Sequence, residues 1–387
     1  MGSVRKVRHR SGVRAWQARW RDPSGRQRAK NFDRKVDAER YLTTIESDKL
    51  RGTYTDPSLG KVRLAEWAER WLSTTVHLKP KTRAGYESLV RHHVLPRFGN
   101  HPLGDIDTLA VAEWVAGLSK KGLSASRIRQ ARQVLGAMLK AAAASRYIAH
   151  NPTEGVKVPR ERPREMVFLT AEQVEELADA MEDPYDTLVY VLAYGGLRWG
   201  EAVALRRRRC DLLRNRLEVA ESLAEVAGTL YFDETKSYQR RMVVIPPFLR
   251  DRMAAHLAEW VHGDPEALVF TAPEGGPLRH SNFRGRQWLP AVCSAGLPPV
   301  TPHQLRHTCA ALLIDQGADP KAIQTHLGHS SIQVTYDHYG HLFPAHLQRL
   351  AEGLEATYQR AHVDALWTRG NADVIELPDR KPESQAP

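Results

Sequence analysis

The 387-residue sequence has few of the features that mark secreted, membrane-embedded or metal-dependent proteins. Its three cysteines, Cys210, Cys293 and Cys309, are odd in number and form no Cys-x-x-Cys pair, so neither a disulfide framework nor a zinc knuckle is expected. No apolar run reaches the roughly 18 residues that span a bilayer, and no apolar segment follows the basic N-terminus as in a signal peptide. These absences indicate a reduced, cytoplasmic protein without a membrane partner.

Several catalytic schemes are absent as well. The chain has no phosphate-binding GxxxxGK[ST] loop and no acidic cluster suited to two-metal phosphate chemistry. The histidines of HQLRH (303–307) have the spacing of a zincin helix, but Gln304 stands where the catalytic glutamate would be, and no carboxylate ligand follows nearby. We therefore expect neither a metal nor a cofactor, and a phosphate substrate would have to be stabilised by cationic side chains.

Positive charge is concentrated at the N-terminus. Residues 1–52 carry 15 lysines and arginines against 6 acidic residues, whereas the whole chain has 56 against 45. Such a segment predicts a polyanionic partner, with nucleic acid ahead of anionic lipid. A solvated basic surface without a partner is the alternative that composition leaves open.

The first half of the chain predicts two modules and a linker. Alternating apolar and polar residues flank the turn DPSG at 22–25, and a helical pattern follows, so residues 1–55 are expected to form a small basic sheet-plus-helix domain. Four helices with apolar stripes at spacings of three and four follow over residues 62–150. Residues 151–165 contain three prolines and alternating charges, which is typical of an interdomain linker.

The second half predicts a mixed domain over residues 166–355. Three short strands are expected at Arg216–Ser222, Thr229–Asp233 and Arg241–Ile245, with TKSYQR as the turn between the last two. From residue 356 to 387 the chain becomes a polar tail that we expect to be disordered. The expected fold class is mainly α with small β-sheets.

Proton-carrying side chains are densest between residues 301 and 339. The opening Thr-Pro pair predicts a helix start, and spacings of three and four place His303, Arg306 and His307 on one helix face. A second helix is expected to begin at Asp319-Pro320 and to end at a glycine just before His329.

The chemistry that remains is that of cations and proton carriers. The candidates are Arg198, Lys236, His303, Arg306, His329 and Tyr339. Arginines bind phosphate oxygens in pairs, a lysine can protonate an alkoxide leaving group, and a phenol with a pKa of about 10 needs cations or a base to act as a nucleophile. Taken singly, each has a structural alternative, such as a salt-bridged arginine or a core tyrosine.

The ordered series GLRWGE, TKS, HQLRH, LGHSS and a Tyr-Gly-His near the C-terminus resembles the tyrosine recombinase (phage integrase) family. The motifs cover residues 166–345, and residues 62–150 resemble the helical, SAM-like core-binding domain of that family. Residues 1–55 resemble the arm-binding domain of phage-type integrases. The resemblance implies a multidomain fold with a mixed α+β catalytic domain.

The same resemblance implies roles for individual residues. Arg198 and Arg306 would bind the scissile phosphate, and Lys236 would protonate the 5′-hydroxyl leaving group. His303 would assist proton transfer, and His329 would bind a non-bridging phosphate oxygen.

Tyr339 would attack phosphorus to give a 3′-phosphotyrosyl link. Tyr336 competes for this role because the interval after His329 is one residue longer than in many family members, but the Gly-His that follows Tyr339 fits the family's ending. Glu201 matches the acidic position that supports the active site. His307 matches a position that is usually structural, so it is left out of the catalytic set.

The implied function is site-specific recombination that integrates a phage or integrative element, and with a partner excises it, through a Holliday junction in a homotetramer. Implied partners are core-type and arm-type DNA sites, an excision factor and a host DNA-bending protein, in the cytoplasm of a bacterial host on nucleoid DNA. The alternatives are a type IB topoisomerase-like strand transferase and an inactive DNA-binding regulator of the same fold. Attachment sites, direction and whether Tyr339 acts in cis or in trans stay open.

Overall fold

The structure is a computed structural model that divides into two compact units, Met1–Arg164 and Glu165–Pro387. The residues that it describes are 2–8, 14–23, 25–51, 54, 56, 58–160, 166–234, 240–343 and 345–370.

The first unit opens with a three-stranded antiparallel sheet and one helix. The elements are β1 (Ser3–Arg8), β2 (Arg14–Arg21), β3 (Gln27–Phe32) and α1 (Lys35–Leu50), and the strand order is β1-β2-β3. Apolar residues on one sheet face pack against α1, with Trp20 buried and its indole N–H donating to the Tyr54 hydroxyl at 2.9 Å. The predicted strand, turn, strand and helix are present, and β1 is an additional strand.

The rest of the first unit is helical. Its helices are α2 (Leu64–Ser73), α3 (Pro80–Leu89), α4 (Leu95–Phe98), α5 (Thr108–Lys120) and α6 (Ala125–Ala144). A π-helical turn, Val90–Val94, joins α3 to α4, where Pro96 lacks an N–H and interrupts the regular hydrogen-bond ladder. Five helices therefore stand where four were expected, around a single core that includes Leu64, Phe98 and Leu135.

The second unit is mainly helical, and one of its helices, α8, is buried along nearly its whole length. The helices are α7 (Ala171–Asp179), α8 (Asp186–Tyr194), α9 (Trp199–Ala202), α10 (Pro247–Glu259), α11 (His280–Phe283), α12 (Leu289–Ser294), α13 (Pro302–Asp315), α14 (Pro320–Leu327), α15 (Ile332–Tyr339) and α16 (Ala345–Gly370). The side chain of Asp319 accepts hydrogen bonds from the backbone N–H groups of Lys321 and Ala322, and Gly328 ends α14 with φ +67°. The two helices predicted between residues 301 and 329 are therefore present as α13 and α14.

The strands of the second unit form two small antiparallel sheets, one of three strands and one of two, which we call together the ribbon. They are β4 (Cys210–Asp211), β5 (Arg216–Val219), β6 (Glu221–Val226), β7 (Thr229–Glu234) and β8 (Arg241–Val244). The consecutive strands β5 and β6 make one arm, which pairs with β8 opposite β5 and with β7 opposite β6.

The turn of this ribbon lies at Ala227-Gly228, where both residues have positive φ, +48° and +80°. The prediction of TKSYQR as the turn between the last two predicted strands stays a prediction. The strands on either side of it, β7 and β8, do not pair with each other: Glu234 of β7 pairs with Glu221, and Arg241 of β8 pairs with Val219. Residues 235–239 themselves lie outside the described part of the chain.

The C-terminal segment is more regular than expected. The prediction of disorder from residue 356 is wrong as far as residue 370, because α16 continues to Gly370. Good helix formers and i, i+4 contacts, such as the Gln359 amide donating to Glu355 at 2.7 Å, favour helix there. Residues 371–387 lie outside the described part, and among the described helices none is both long and apolar enough to cross a bilayer.

Candidate active site

The candidate site begins at the turn between α8 and α9. Gly196 has φ +64°, and a Cβ atom there would lie 2.6 Å from the Leu327 side chain and 2.9 Å from the sulfur of Cys309. Glycine is therefore required at this position for both conformation and space. The turn brings α9 close to the end of α14 and places Arg198 at the start of α9.

Glu201 is the centre of a buried ion network. Its side chain is 1% exposed and accepts from Arg198 Nη1 at 2.9 Å and from the backbone N–H of the same residue at 2.9 Å. Arg241 donates to both carboxylate oxygens, at 3.1 and 2.7 Å. Burial alone would raise the pKa of Glu201, but the hydrogen bonds and charges of the two arginines outweigh it and lower the pKa to about 2.

Arg241 is a site residue that sequence reasoning missed. Its side chain is 10% exposed, and its Nε donates to the backbone carbonyl of His326 at 3.2 Å, which ties β8 to α14. The adjacent Arg240 is 72% exposed. Nothing in the pair RR separates the two arginines by sequence, so only the fold identifies the one that binds Glu201.

Arg306 lies buried on α13. Its Nη1 donates to the Gly196 carbonyl and its Nη2 to the Leu327 carbonyl, both at 2.6 Å. Burial lowers its pKa to about 9, and the neighbouring positive charge of Arg198 acts in the same direction. The guanidinium is still charged at neutral pH. Arg198 itself donates to the Gly328 carbonyl at 3.1 Å, so the two guanidinium groups bind consecutive carbonyls at the end of α14.

Tyr339 ends α15 and is 1% exposed. Its hydroxyl lies 2.7 Å from Nδ1 of His307, and its ring is nearly parallel to that of His329, with ring centres 6.2 Å apart. Burial raises the pKa of Tyr339 to about 12, although the charge of Arg306 opposes the shift. Tyr336 is 48% exposed and contacts Phe343, so it lies outside this cluster.

The histidines differ in their surroundings. His329 is half-buried with Nδ1 2.9 Å from the Thr335 hydroxyl, and burial, followed by the charges of Arg306 and Arg198, lowers its pKa to about 3. Burial lowers the pKa of His307 to about 4, and electrostatic interactions with neighbouring side chains, of which His303 has the largest effect, act in the same direction. His303 is exposed, with its ring centre 5.0 Å from that of His307. Both His307 and His329 are therefore neutral at pH 7.

The structure thus brings most of the predicted residues into one cluster. The members are Arg198, Glu201, His303, Arg306, His329 and Tyr339, joined by two that were not predicted, Arg241 and His307. Lys236 lies outside the described part of the chain. Within the described ranges, no group of three or more histidine, cysteine or acidic side chains is arranged to hold a metal ion.

Sequence comparisons match this architecture. The model of the phage integrase family matches residues 167–346, and that of its N-terminal SAM-like domain matches residues 63–119. A protein of Mycobacterium tuberculosis (strain H37Rv) that is named as a prophage phiRv2 integrase is 31% identical over 327 residues, which cover 82% of this chain and 86% of that protein. The tyrosine recombinase XerC of Rhodospirillum centenum is 30% identical, covering 78% of this chain and 85% of that protein.

Solved structures show the same fold. The Tn1549 transposon integrase in complex with transposon right end DNA superposes with a TM-score of 0.66 at 23% identity, covering 75% of this chain and 100% of that chain. A lambda integrase dimer bound to a core site superposes with a TM-score of 0.58 at 20% identity, covering 86% of this chain and 93% of that chain. The mainly helical fold with small sheets that the sequence predicts is confirmed.

Fold and sequence relatives together define a DNA strand transferase of the site-specific recombinase class. The chain belongs to the tyrosine recombinase (phage integrase) family.

Proposed function

We propose that this recombinase cuts and rejoins duplex DNA through a 3′-phosphotyrosyl link formed by Tyr339. The observation that carries the proposal is a buried phenol in one cluster with two phosphate-binding candidates, Arg198 and Arg306. The hydroxyl would attack phosphorus and displace the 5′-oxygen. A phosphotyrosine ester conserves the energy of the broken phosphodiester, so the strand can be rejoined to another 5′-hydroxyl without ATP.

The arginines would bind the non-bridging oxygens of the scissile phosphate. Arg198 is 27% exposed, so its guanidinium keeps an accessible edge for a substrate while Glu201 and the Gly328 carbonyl hold the rest. Guanidinium groups already positioned before the substrate arrives stabilise a pentacoordinate phosphorus without further reorganisation. Glu201 would act by positioning Arg198.

The proton carriers would divide the remaining tasks. Nδ1 of His329 lies 2.9 Å from the Thr335 hydroxyl, and in the tautomer in which that hydroxyl donates, the ring proton would be on Nε2 and could be donated to a phosphate oxygen. His303, exposed beside His307, would assist proton transfer. Lys236 would protonate the 5′-oxygen as the bond to phosphorus breaks.

The proton-donor role of Lys236 is open to a direct test. Lys236→Ala is expected to slow cleavage of an ordinary core-site duplex by roughly 100-fold or more, because the alkoxide would leave unprotonated. A substrate with sulfur in place of the bridging 5′-oxygen should recover most of the rate, since a thiolate leaves without a proton. Single-turnover adduct formation on the two substrates measures this, and an equal loss on both would contradict the acid role.

The domains would share the DNA as follows. We propose residues 1–55 for arm-type sites, residues 62–150 for the core-type site, residues 151–165 as the linker and residues 166–355 for catalysis. A recess between the helical domain and the linker, lined by Arg129, Arg132, Lys157 and Arg160, would offer cationic contacts to the phosphate backbone.

The exposed face of the N-terminal sheet carries a row of side chains suited to reading bases. Arg5, Gln17 and Asn31 stand opposite one another on the three strands, and hydrogen bonds of 3.2 and 3.0 Å join them. Arginine reads guanine and the two amides read adenine through the major groove. The row supports sequence-specific binding by this sheet beyond a general attraction of its charge to phosphate.

A two-plasmid assay tests the function as a whole. One plasmid carries DNA from beside the gene, as the candidate attachment site, and the other carries the bacterial target. Exchange in the presence of a chelator is expected. Relaxation of supercoils without exchange would instead indicate a topoisomerase-like enzyme, and failure to capture a nicked duplex covalently would indicate an inactive regulator.

Deletion of residues 1–55 should separate cleavage from integration in the same assay. Cleavage of a nicked core-site duplex is expected to continue, because the residues of the catalytic cluster lie in the second unit. Integration should fall by at least about tenfold, since arm-site contacts would be lost. An unchanged integration rate would contradict the arm-binding assignment.

In the cell, we propose that a homotetramer joins two DNA sites through a Holliday junction and integrates a phage or integrative element. Excision would use an additional excision factor, and a host DNA-bending protein would bring arm-type and core-type sites together. The place of action would be the nucleoid DNA in the bacterial cytoplasm.

A further inference from the structure

His307 has a contact that its expected structural role does not explain. It lies one residue after Arg306 on α13, and its Nδ1 is 2.7 Å from the hydroxyl oxygen of Tyr339. Among the residues that the structure describes, no other hydrogen-bond partner lies at this hydroxyl. A phenol O–H has one proton to donate, and a neutral His307 ring that carries its proton on Nε2 accepts it at Nδ1.

We propose that His307 is the proton acceptor for Tyr339 in strand cleavage, an inference that rests on the proposed function. The O–H bond of Tyr339 breaks, its proton passes to Nδ1 of His307, and the phenolic oxygen forms the bond to phosphorus. The bond from phosphorus to the 5′-oxygen breaks, and that oxygen takes a proton from the separate donor, Lys236. In rejoining, the imidazolium returns its proton to the departing phenolate.

The surroundings of His307 suit a base and not a permanent cation. The groups facing it are His303 and Arg306 on its own helix and His338 and Tyr339 on α15, and none of them is anionic at neutral pH. Desolvation and these neighbours disfavour the charged ring, so Nδ1 keeps its lone pair until the phenol gives up its proton. The proton then moves over a single short hydrogen bond, without water in between.

His303 is less suited to this step. It is exposed, and its ring centre is 5.0 Å from that of His307, whereas His307 directly contacts the reacting oxygen. His303 can therefore serve the phosphate or the leaving group while His307 serves the nucleophile. Two histidines four residues apart on α13 would then act on opposite ends of the reaction.

The test uses the full-length protein, single-turnover cleavage and a nicked duplex built from DNA beside the gene. His307→Asn places an amide near the position of Nδ1, where it can accept the hydrogen bond but cannot take the proton. Cleavage is expected to fall by roughly 100-fold or more, with equal loss on the substrate that has a sulfur leaving group. Lys236→Ala, measured in parallel, should be rescued by sulfur, and His338→Asn, an exposed neighbour, should lose little.

His307→Ala with added imidazole supplies an independent measurement. Cleavage should rise with the concentration of neutral imidazole, which a merely structural role would not produce. Thermal unfolding and core-site binding check that each variant is folded. Three results for His307→Asn would overturn the proposal. The first is cleavage at the wild-type rate, and the second is rescue by the sulfur substrate. The third is faster cleavage, which would mean that His307 restrains Tyr339 in the absence of DNA. Absence of any adduct with the wild-type protein would instead overturn the proposed function.

Discussion

Replacing Tyr339 with phenylalanine is expected to abolish the covalent protein–DNA adduct while leaving DNA binding intact. The substitution removes the hydroxyl oxygen and the 2.7 Å contact with His307, but it keeps a ring that is packed at 1% exposure beside His329. Loss of a catalytic nucleophile lowers rates by roughly a million-fold, whereas loss of one buried hydrogen bond costs about 1 kcal/mol of stability. Gel analysis of a labelled nicked duplex measures the adduct, and mobility shift measures binding.

Tyr336→Phe is the matched control for this result. It removes the same atom from a tyrosine on the same helix that is 48% exposed and contacts Phe343 instead of the arginine cluster. It should form adduct at close to the wild-type rate. An adduct that survives in Tyr339→Phe and disappears in Tyr336→Phe would refute the choice of nucleophile.

Mixing the Tyr339→Phe and Arg198→Ala variants tests whether the tyrosine acts in cis or in trans. Cleavage restored by mixing would indicate that one subunit delivers its tyrosine to the arginines of another.

Replacing Glu201 with glutamine is expected to impair both stability and cleavage. The neutral amide cannot balance Arg198 and Arg241, which are held at 2.9 Å and at 3.1 and 2.7 Å from the buried carboxylate. Removing one partner of a buried ion pair lowers the free energy of unfolding by about 3–5 kcal/mol, because the other charge stays buried without a partner. Cleavage should fall by about 100-fold or more if Arg198 has its proposed role, because it would lose the group that positions its guanidinium for phosphate. Denaturant unfolding and single-turnover cleavage give the two measurements.

The acid dependence of unfolding follows from the same carboxylate. A glutamate with an unfolded-state pKa near 4.3 and a folded-state pKa of about 2 contributes stability that is complete above the first value. That contribution, about 3 kcal/mol, is lost as the pH falls towards 2. Glu201→Gln should lack this part of the acid dependence. Glu221→Gln is the control, because its pair with Arg206 is partly exposed and should change stability by no more than about 1 kcal/mol.

Much of the fold follows from local patterns in the sequence. Caps and spacings predict α13 and α14 to within two residues, because Thr301 and Asp319 begin them and glycines with positive φ follow them. The boundaries of the ribbon were less predictable. Alternation marks the strands, but it does not show which of them pair, and this follows only from the registers of β5 with β8 and of β6 with β7.

The candidate site was predictable where short motifs carry it and not elsewhere. Arg198, Arg306 and Tyr339 stand in recognisable segments, whereas Arg241 is one of two adjacent arginines with no distinguishing neighbour. Its burial depends on which side of the ribbon faces Glu201. Similarly, His307 could be identified only when α15 was seen to bring a phenol onto α13. Long-range pairing decides such cases, and local sequence does not encode it.

The strands β7 and β8 pair with the same arm of the ribbon and are separated in sequence by residues 235–240. Arg241 is the first residue of β8 and pairs with Val219. A deletion that shifts the register of β8 by one residue would turn its side chains to the opposite face of the sheet and move the Arg241 guanidinium away from Glu201. Residues gained or lost within 235–239 leave both paired segments in place. The number of residues between β7 and β8 can therefore change without moving Arg241 away from Glu201. If Lys236 has its proposed role, variants that differ only in this interval should vary in cleavage rate while their affinity for DNA stays constant.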